Sequence, residues 1–309
     1  MQQLTRDGWD RAVALVEAHA APLDRALGRH FLFGGDRQEA IDALAALQNP
    51  DGGFSGMEAD FSEDSSAVVS TIRALQILEE LAVAADHPMA ARAIDGLAAD
   101  YVPAWRSWRL IRQHDNPRPH APWWHWTDDF DERWGYYADN PRPAVVACLH
   151  AFSAGVDAAL LAELTGAVIR RARELDPAGV HNNATECYHR FACSPAVPAA
   201  AREAVAERLT KIIDATLITE PARWRKYGLQ PLDVADGPAS PFYDRYRDHV
   251  ERHLDYLVDT QGPDGAWAPH WSWAGTFPEA WERASVSWKG RLTVVRLRQL
   301  VAFGRVAER

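Results

Sequence analysis

Apolar residues along the chain recur at three- and four-residue steps, the spacing that places them on one face of a helix. Asp36-Arg37-Gln38-Glu39 reads as an N-cap followed by a carboxylate, opening a helix that carries Ile41, Leu44 and Leu47. A second pattern over about 63–83 places Val68, Ile72, Leu75, Leu78 and Ala82 on one stripe. Similar stripes are predicted for 7–18, 89–100, 142–154, 157–174, 198–215 and 242–260, with Pro143 at a plausible first turn. The clearest helix starts between Thr276 and Glu279 and carries Trp281, Ser285, Trp288, Leu292, Val295 and Ala302. Period-two alternation is almost absent, so the expected fold class is all-α.

Two stretches interrupt the helical rhythm. Residues 114–142 hold Asn116-Pro117-Arg118-Pro119, His120-Ala121-Pro122 and Asn140-Pro141-Arg142-Pro143, prolines that a helix interior rejects. Residues 261–275 hold Gly262-Pro263-Asp264-Gly265 and then an aromatic run. Loops are normally polar, yet Trp123, Trp124, Trp126 and Trp134 fall in the first and Trp267, Trp271 and Trp273 in the second. Such loops are expected to fold over something, either a ligand or their own helical bundle.

Composition narrows the classes. Of the 309 residues 47% are hydrophobic and 25% charged, which excludes wholesale disorder. No uncharged apolar run approaches the roughly 18 residues of a membrane span, and Met1-Gln2-Gln3-Leu4-Thr5-Arg6-Asp7 carries no apolar leader, so the expected compartment is the cytoplasm. Cys148, Cys187 and Cys193 make no disulfide framework. A net charge of −10 argues against a dedicated nucleic-acid binder. The outlier is tryptophan, 13 residues beside 3 methionines, more than a core requires.

A repeat is visible. Leu47-Gln48-Asn49-Pro50-Asp51-Gly52-Gly53-Phe54 and Thr260-Gln261-Gly262-Pro263-Asp264-Gly265-Ala266-Trp267 are each a helix end, a Gln, a Pro-Asp-Gly turn and an aromatic, followed by a long helix. Glu174-Leu175-Asp176-Pro177-Ala178-Gly179 is a weaker echo without the Gln and the aromatic. The pattern resembles the Q-W motif of terpenoid cyclases and the related turns of protein prenyltransferase β subunits. That resemblance implies one α/α toroid over 1–309, inner helices around a central cavity, with Gln48, Phe54, Gln261 and Trp267 in structural roles.

Candidate chemistry centres on Thr127-Asp128-Asp129-Phe130-Asp131-Glu132-Arg133. Class II cyclases carry a DxDD motif whose central Asp protonates an alkene or epoxide. Asp129-Phe130-Asp131-Glu132 is similar but ends in Glu, which would carry the acid onto Asp131 with Asp129 and Glu132 in support. Read as DDxxE, Asp128, Asp129 and Glu132 would instead hold Mg²⁺ as an alternative cofactor; the acid reading needs none. The same carboxylates also suit a solvated loop or a helix N-terminus. Trp123, Trp124 and Trp126, with His120 and His125, form the expected substrate wall, joined by Trp281 and Trp288 if their helix is an inner one.

Zinc is disfavoured: the chain has no CxxC or HExxH, and no Asp stands two before a Cys as in prenyltransferases; on a helix Cys187 and His189 point apart, while His189 and Cys193, four apart, could converge. His181, Asn182, Asn183, Glu186 and Tyr188 resemble by residue type the polar wall of toroid lyases. The leading expectation is therefore a cyclase-like enzyme taking a small apolar substrate in a tryptophan-lined cavity by proton donation. A carbohydrate-active toroid (lyase or hydrolase) and a non-catalytic ligand-binding toroid stay open beside it, and nothing in the sequence sets the oligomeric state.

Overall fold

The computed structural model describes residues 1–61, 65–111 and 116–307. Its architecture is all-helical, as the periodicity predicts; among the described residues the only ladder is a two-residue antiparallel pair, β1 (Tyr101–Val102) with β2 (Ser107–Trp108). No helix among the described residues is long and apolar enough to cross a membrane. The helices pack as two compact units, one of Met1–Ala46, Pro119–Pro122 and Leu217–Arg309, the other of Leu47–Arg118 and Trp123–Thr216.

The first unit opens with α1 (Arg6–His19), α2 (Pro22–Phe33) and α3 (Arg37–Ala45). Thr5 Oγ1 accepts from Gly8 N at 3.1 Å to cap α1, and Asp36 caps α3 by accepting from Gln38 N at 2.8 Å. The second unit holds α4 (Val68–Glu80), α5 (Pro88–Ala98), α6 (Phe130–Trp134), α7 (Arg142–Ala151), α8 (Ala158–Glu174), α9 (Asn182–Cys193) and α10 (Ala199–Thr216). In it α7 is buried from Arg142 to Leu149 and packs against α4, α8 and α9. The chain then returns to the first unit with α11 (Pro231–Val234), α12 (Tyr243–Asp259) and α13 (Pro278–Ala302), and α13 lies on α1 and α2.

Helix ends shift by a few residues from the sequence expectation, α3 stopping at Ala45, α4 at Glu80 and α7 at Ala151, and two stretches differ more. The helix expected from about residue 63 begins at Val68; Glu63 lies outside the described residues. The late start has a cause: the backbone before it is already engaged, with Ala67 N donating to Phe54 O at 3.0 Å and Ser66 Oγ donating to Asp51 Oδ1 at 2.6 Å. The stretch 114–142, read as helix-free, contains one short helix, α6, closed by Gly135 in the left-handed region; His114 and Asp115 lie outside the described residues.

The repeated turns agree atom for atom. Gln48 Nε2 donates to Gly52 O at 2.9 Å and to Met89 O at 3.0 Å; Gln261 Nε2 donates to Gly265 O at 2.8 Å and to Gly8 O at 2.9 Å. Each glutamine thus ties its own turn to the first residues of another helix, α5 or α1, whose carbonyls there are already committed within the helix except for their second lone pair. Phe54 N donates to Thr71 Oγ1 at 3.0 Å and Trp267 N to Thr293 Oγ1 at 3.3 Å, so a threonine from the following helix locks the aromatic. Gly52 and Gly265 sit at φ 89° and 87°, and a Cβ on either would strike backbone, Arg92 O or Ala12 N.

Candidate functional site

The acidic segment lies at the start of α6. Asp129 takes the N-cap position, and Asp131 and Glu132 fall in the first turn, where the helix dipole favours negative charge. Asp128, Asp129 and Glu132 are exposed. A hydrogen bond from Thr127 holds the Asp129 carboxyl below its ordinary value. Asp131 differs: it is half-buried and doubly gripped by Arg109, whose Nη2 reaches Oδ2 at 2.7 Å and whose Nε lies 3.0 Å from Oδ2 and 3.2 Å from Oδ1. Tyr137 donates its hydroxyl to Oδ1 at 2.7 Å.

Burial alone would raise the Asp131 pKa, but the hydrogen bonds from Arg109 and Tyr137 and the guanidinium charge outweigh it and hold the carboxyl below the ordinary range. Burial and the same carboxylate push the Tyr137 phenol up. Trp105 closes the cluster, stacked on Tyr137 at 4.4 Å between centroids, with the Arg109 guanidinium 5.3 Å from its ring centre. A carboxylate held in this way accepts hydrogen bonds and carries charge at neutral pH, whereas a proton donor to an alkene must start protonated.

Aromatic rings run on from this cluster as a stack. Trp126 lies on Phe130 (5.0 Å, 15°), Phe130 beside Trp134 (6.0 Å, 14°), and Trp134 on Tyr136 (4.9 Å, 13°) and Trp124 (5.9 Å, 17°). Of the expected ligand wall, Trp124 is therefore a packed member, against Phe61 as well, and Trp126 is half-buried with its backbone held by Asn116. Trp123 and His125 are exposed. His120 is buried in the first unit beside the Phe277 ring at 5.3 Å. Trp281 and Trp288 also belong to the first unit, half-buried and edge-on to Trp273 and Trp271. The expected wall is thus divided between the two units.

Where the stack ends, a recess opens. A cavity of about 390 Å³ is lined by Tyr136, Asp139, Arg171, Glu174, Asp176 and His181, among others. Tyr136 and His181 face each other at 5.4 Å. Behind them a second Asp–Arg–Tyr arrangement matches the first: Arg171 Nη2 reaches Asp139 Oδ2 at 2.7 Å with Nε at 2.9 Å from Oδ1, and the fully buried Tyr188 donates to Oδ1 at 2.9 Å. Burial and the Asp139 carboxylate push the Tyr188 phenol well up, so Tyr188 is unsuited to act as a base. Burial keeps His181 neutral to lower pH than an exposed imidazole.

No protein-family model matches the chain, and no curated protein matches it. Among the described residues no three His, Cys, Asp or Glu side chains converge as a cation set. His189 Nε2 does meet Cys193 Sγ, at 3.5 Å, as their spacing on a helix requires. Arg109, Arg171 and Asp139 escaped the sequence reading because each pairs across 22 to 32 positions, a separation that no local pattern encodes. Tyr136 stands in Trp134-Gly135-Tyr136-Tyr137, directly after the acidic segment, where no motif sets it apart from its aromatic neighbours.

Proposed function

We propose that the chain is an α/α toroid of the terpenoid cyclase and prenyltransferase β-subunit kind in its scaffold, and that it is carbohydrate-active, with the recess at Tyr136, His181 and Arg171 receiving a polar ring. One observation carries the reading: a ring surface backed by Trp134, a neutral imidazole and a guanidinium line the same 390 Å³ recess. Sugars offer hydroxyls to such donors and a C–H face to such rings, and the volume falls within the usual range of small-ligand sites. Arg171 suits a uronate carboxylate, and the exposed Glu174 and Asp176 supply carboxylates at the rim. The duplicated Gln-Thr-locked turns support the toroid scaffold.

Titration with neutral and uronate oligosaccharides, followed by tryptophan fluorescence, is expected to saturate, and Tyr136→Ala to weaken binding by about tenfold, the worth of one ring contact. Absence of saturable binding at about 10 mM of either sugar class counts against the proposal.

The stacked rings from Trp126 to Tyr136 favour a second reading, the acid-initiated isoprenoid cyclase. It requires Asp131 to be freed from Arg109 and protonated. Asp131→Asn then folds and abolishes isoprenoid turnover; turnover that survives the substitution removes that role.

A further inference from the structure

The first unit holds a larger cavity, about 700 Å³, between α12, α13 and the aromatic segment after the second glutamine turn. Helix α12 presents His253, Tyr256 and Leu257 to it, and α13 presents Lys289, Leu292 and Arg296. The geometry points to a binding site for a small organic oxyanion, a carboxylate or phosphate ester with an apolar or aromatic body, held by the side-chain nitrogens of His253, Trp271 and Arg296.

Unmet donors carry the argument. The His253 side chain has no exposed surface, and its Nδ1 accepts from Leu232 N at 3.4 Å. A backbone N–H can only donate, so Nδ1 is unprotonated and the neutral ring carries its proton on Nε2. That Nε2 is buried without a hydrogen-bond partner among the described residues, and so is Nε1 of Trp271. The other two indoles on the wall are satisfied by carbonyls: Trp267 Nε1 donates to Leu257 O at 2.9 Å and Trp224 Nε1 to Ile218 O at 2.8 Å. An unpaired buried donor is costly, and these two line one cavity with a guanidinium beside them.

The missing partner is an acceptor, and charge says which kind. Burial presses the Arg296 pKa down and Asp233 only partly offsets it; Arg296 Nη1 donates to the neutral Gln299 Oε1 at 2.9 Å. Lys289, on the same wall, is already paired with Asp264. Burial, and then the charge of Arg296, push His253 down to about 3, so it serves as a neutral donor at any physiological pH. A guanidinium and two N–H groups set among indoles match an oxyanion whose carbon body stacks on Trp267 or Trp271.

The test uses the full chain and three probes that share one ring system: 2-naphthoate, 2-naphthyl phosphate and neutral 2-naphthol, titrated by calorimetry and by the indole N–H resonances. At least one anion is expected to bind saturably and at least about tenfold tighter than 2-naphthol, moving the Trp271 resonance; which anion binds tighter separates carboxylate from phosphate as the source. Trp271→Phe keeps the ring and removes only the donor, and Arg296→Met removes the charge. Each is expected to weaken the anion by about tenfold while the far-ultraviolet spectrum stays native. If all three probes fail to bind at about 10 mM, if 2-naphthol binds as tightly as the anions, or if a folded Arg296→Met binds unchanged, the proposal is wrong.

Discussion

Removing the Arg109 guanidinium takes away the charged donor of the half-buried Asp131 carboxylate and leaves the hydrogen bond from the Tyr137 hydroxyl. Charged hydrogen bonds of this type contribute about 1.5–3 kcal/mol when buried, and the solvent that reaches Arg109 and Asp131 reduces that to about 1–2 kcal/mol for Arg109→Met. The sign of its pH dependence follows from the lowered pKa. The stabilisation is fully present above the ordinary Asp value and is lost as pH falls through the lower folded value, so wild type and Arg109→Met converge in acid. Urea midpoints at pH 7 and pH 3 measure both. An equal gap at the two pH values would show that Arg109 acts through packing on Trp105 instead of through the carboxylate.

At the scale of elements, the two glutamine turns are the part of the fold most fully written in the sequence. Pro-Asp-Gly names the turn, the Gln and the aromatic name its contacts, and both copies adopt the same geometry. The threonine locks were not legible, because Thr71 and Thr293 stand 17 and 26 residues from the amides they accept. Helix α2 was missed for a different reason. It starts at Pro22, with only Ala20 and Ala21 between it and the end of α1, and carries Gly28 in its middle, where a Cβ would come within 3.3 Å of Val294 on α13. A glycine placed for close helix packing reads locally as a helix breaker. His253 was missed because it continues the apolar stripe of Val250, Leu254 and Leu257 as a polar member. The turns make a direct prediction: Gly265→Ala combines a left-handed backbone with overlap on Ala12 N at 2.5 Å, and is expected to cost about 3 kcal/mol or more. Gln261→Leu forfeits two hydrogen bonds and is expected to cost about 2 kcal/mol. Thermal melts rank the two, and a neutral Gly265→Ala would mean that the turn is not held as described.

Over the whole molecule, acidification sets two effects against each other. The net charge of −10 shrinks as carboxylates protonate, which relieves repulsion and favours the folded state. Against this stand histidines that burial keeps neutral: His150, His181, His253 and His270 all have lowered pKa values, and His253 falls to about 3. For such a group the unfolded chain takes up a proton near pH 6.5 that the folded chain refuses until its own lower pKa. Stability is therefore whole above about pH 6.5 and falls as pH drops toward 3. One such histidine contributes a slope of about 1.4 kcal/mol per pH unit, and lowered carboxylates such as Asp131, Glu251 and Asp255 add to the loss only below about pH 4. Screened surface repulsion changes more gently than this over the same interval, so the histidines decide the direction. The free energy of unfolding in urea is expected to decline from pH 7 to pH 5, before the lowered carboxylates contribute. His253→Phe fills the same slot beside Trp224 and is expected to flatten that decline by about one proton. A profile that stays level between pH 7 and pH 5, in wild type and variant alike, would mean that His253 takes up a proton in the folded chain. The neutral donor assigned to the cavity wall would then be lost with it.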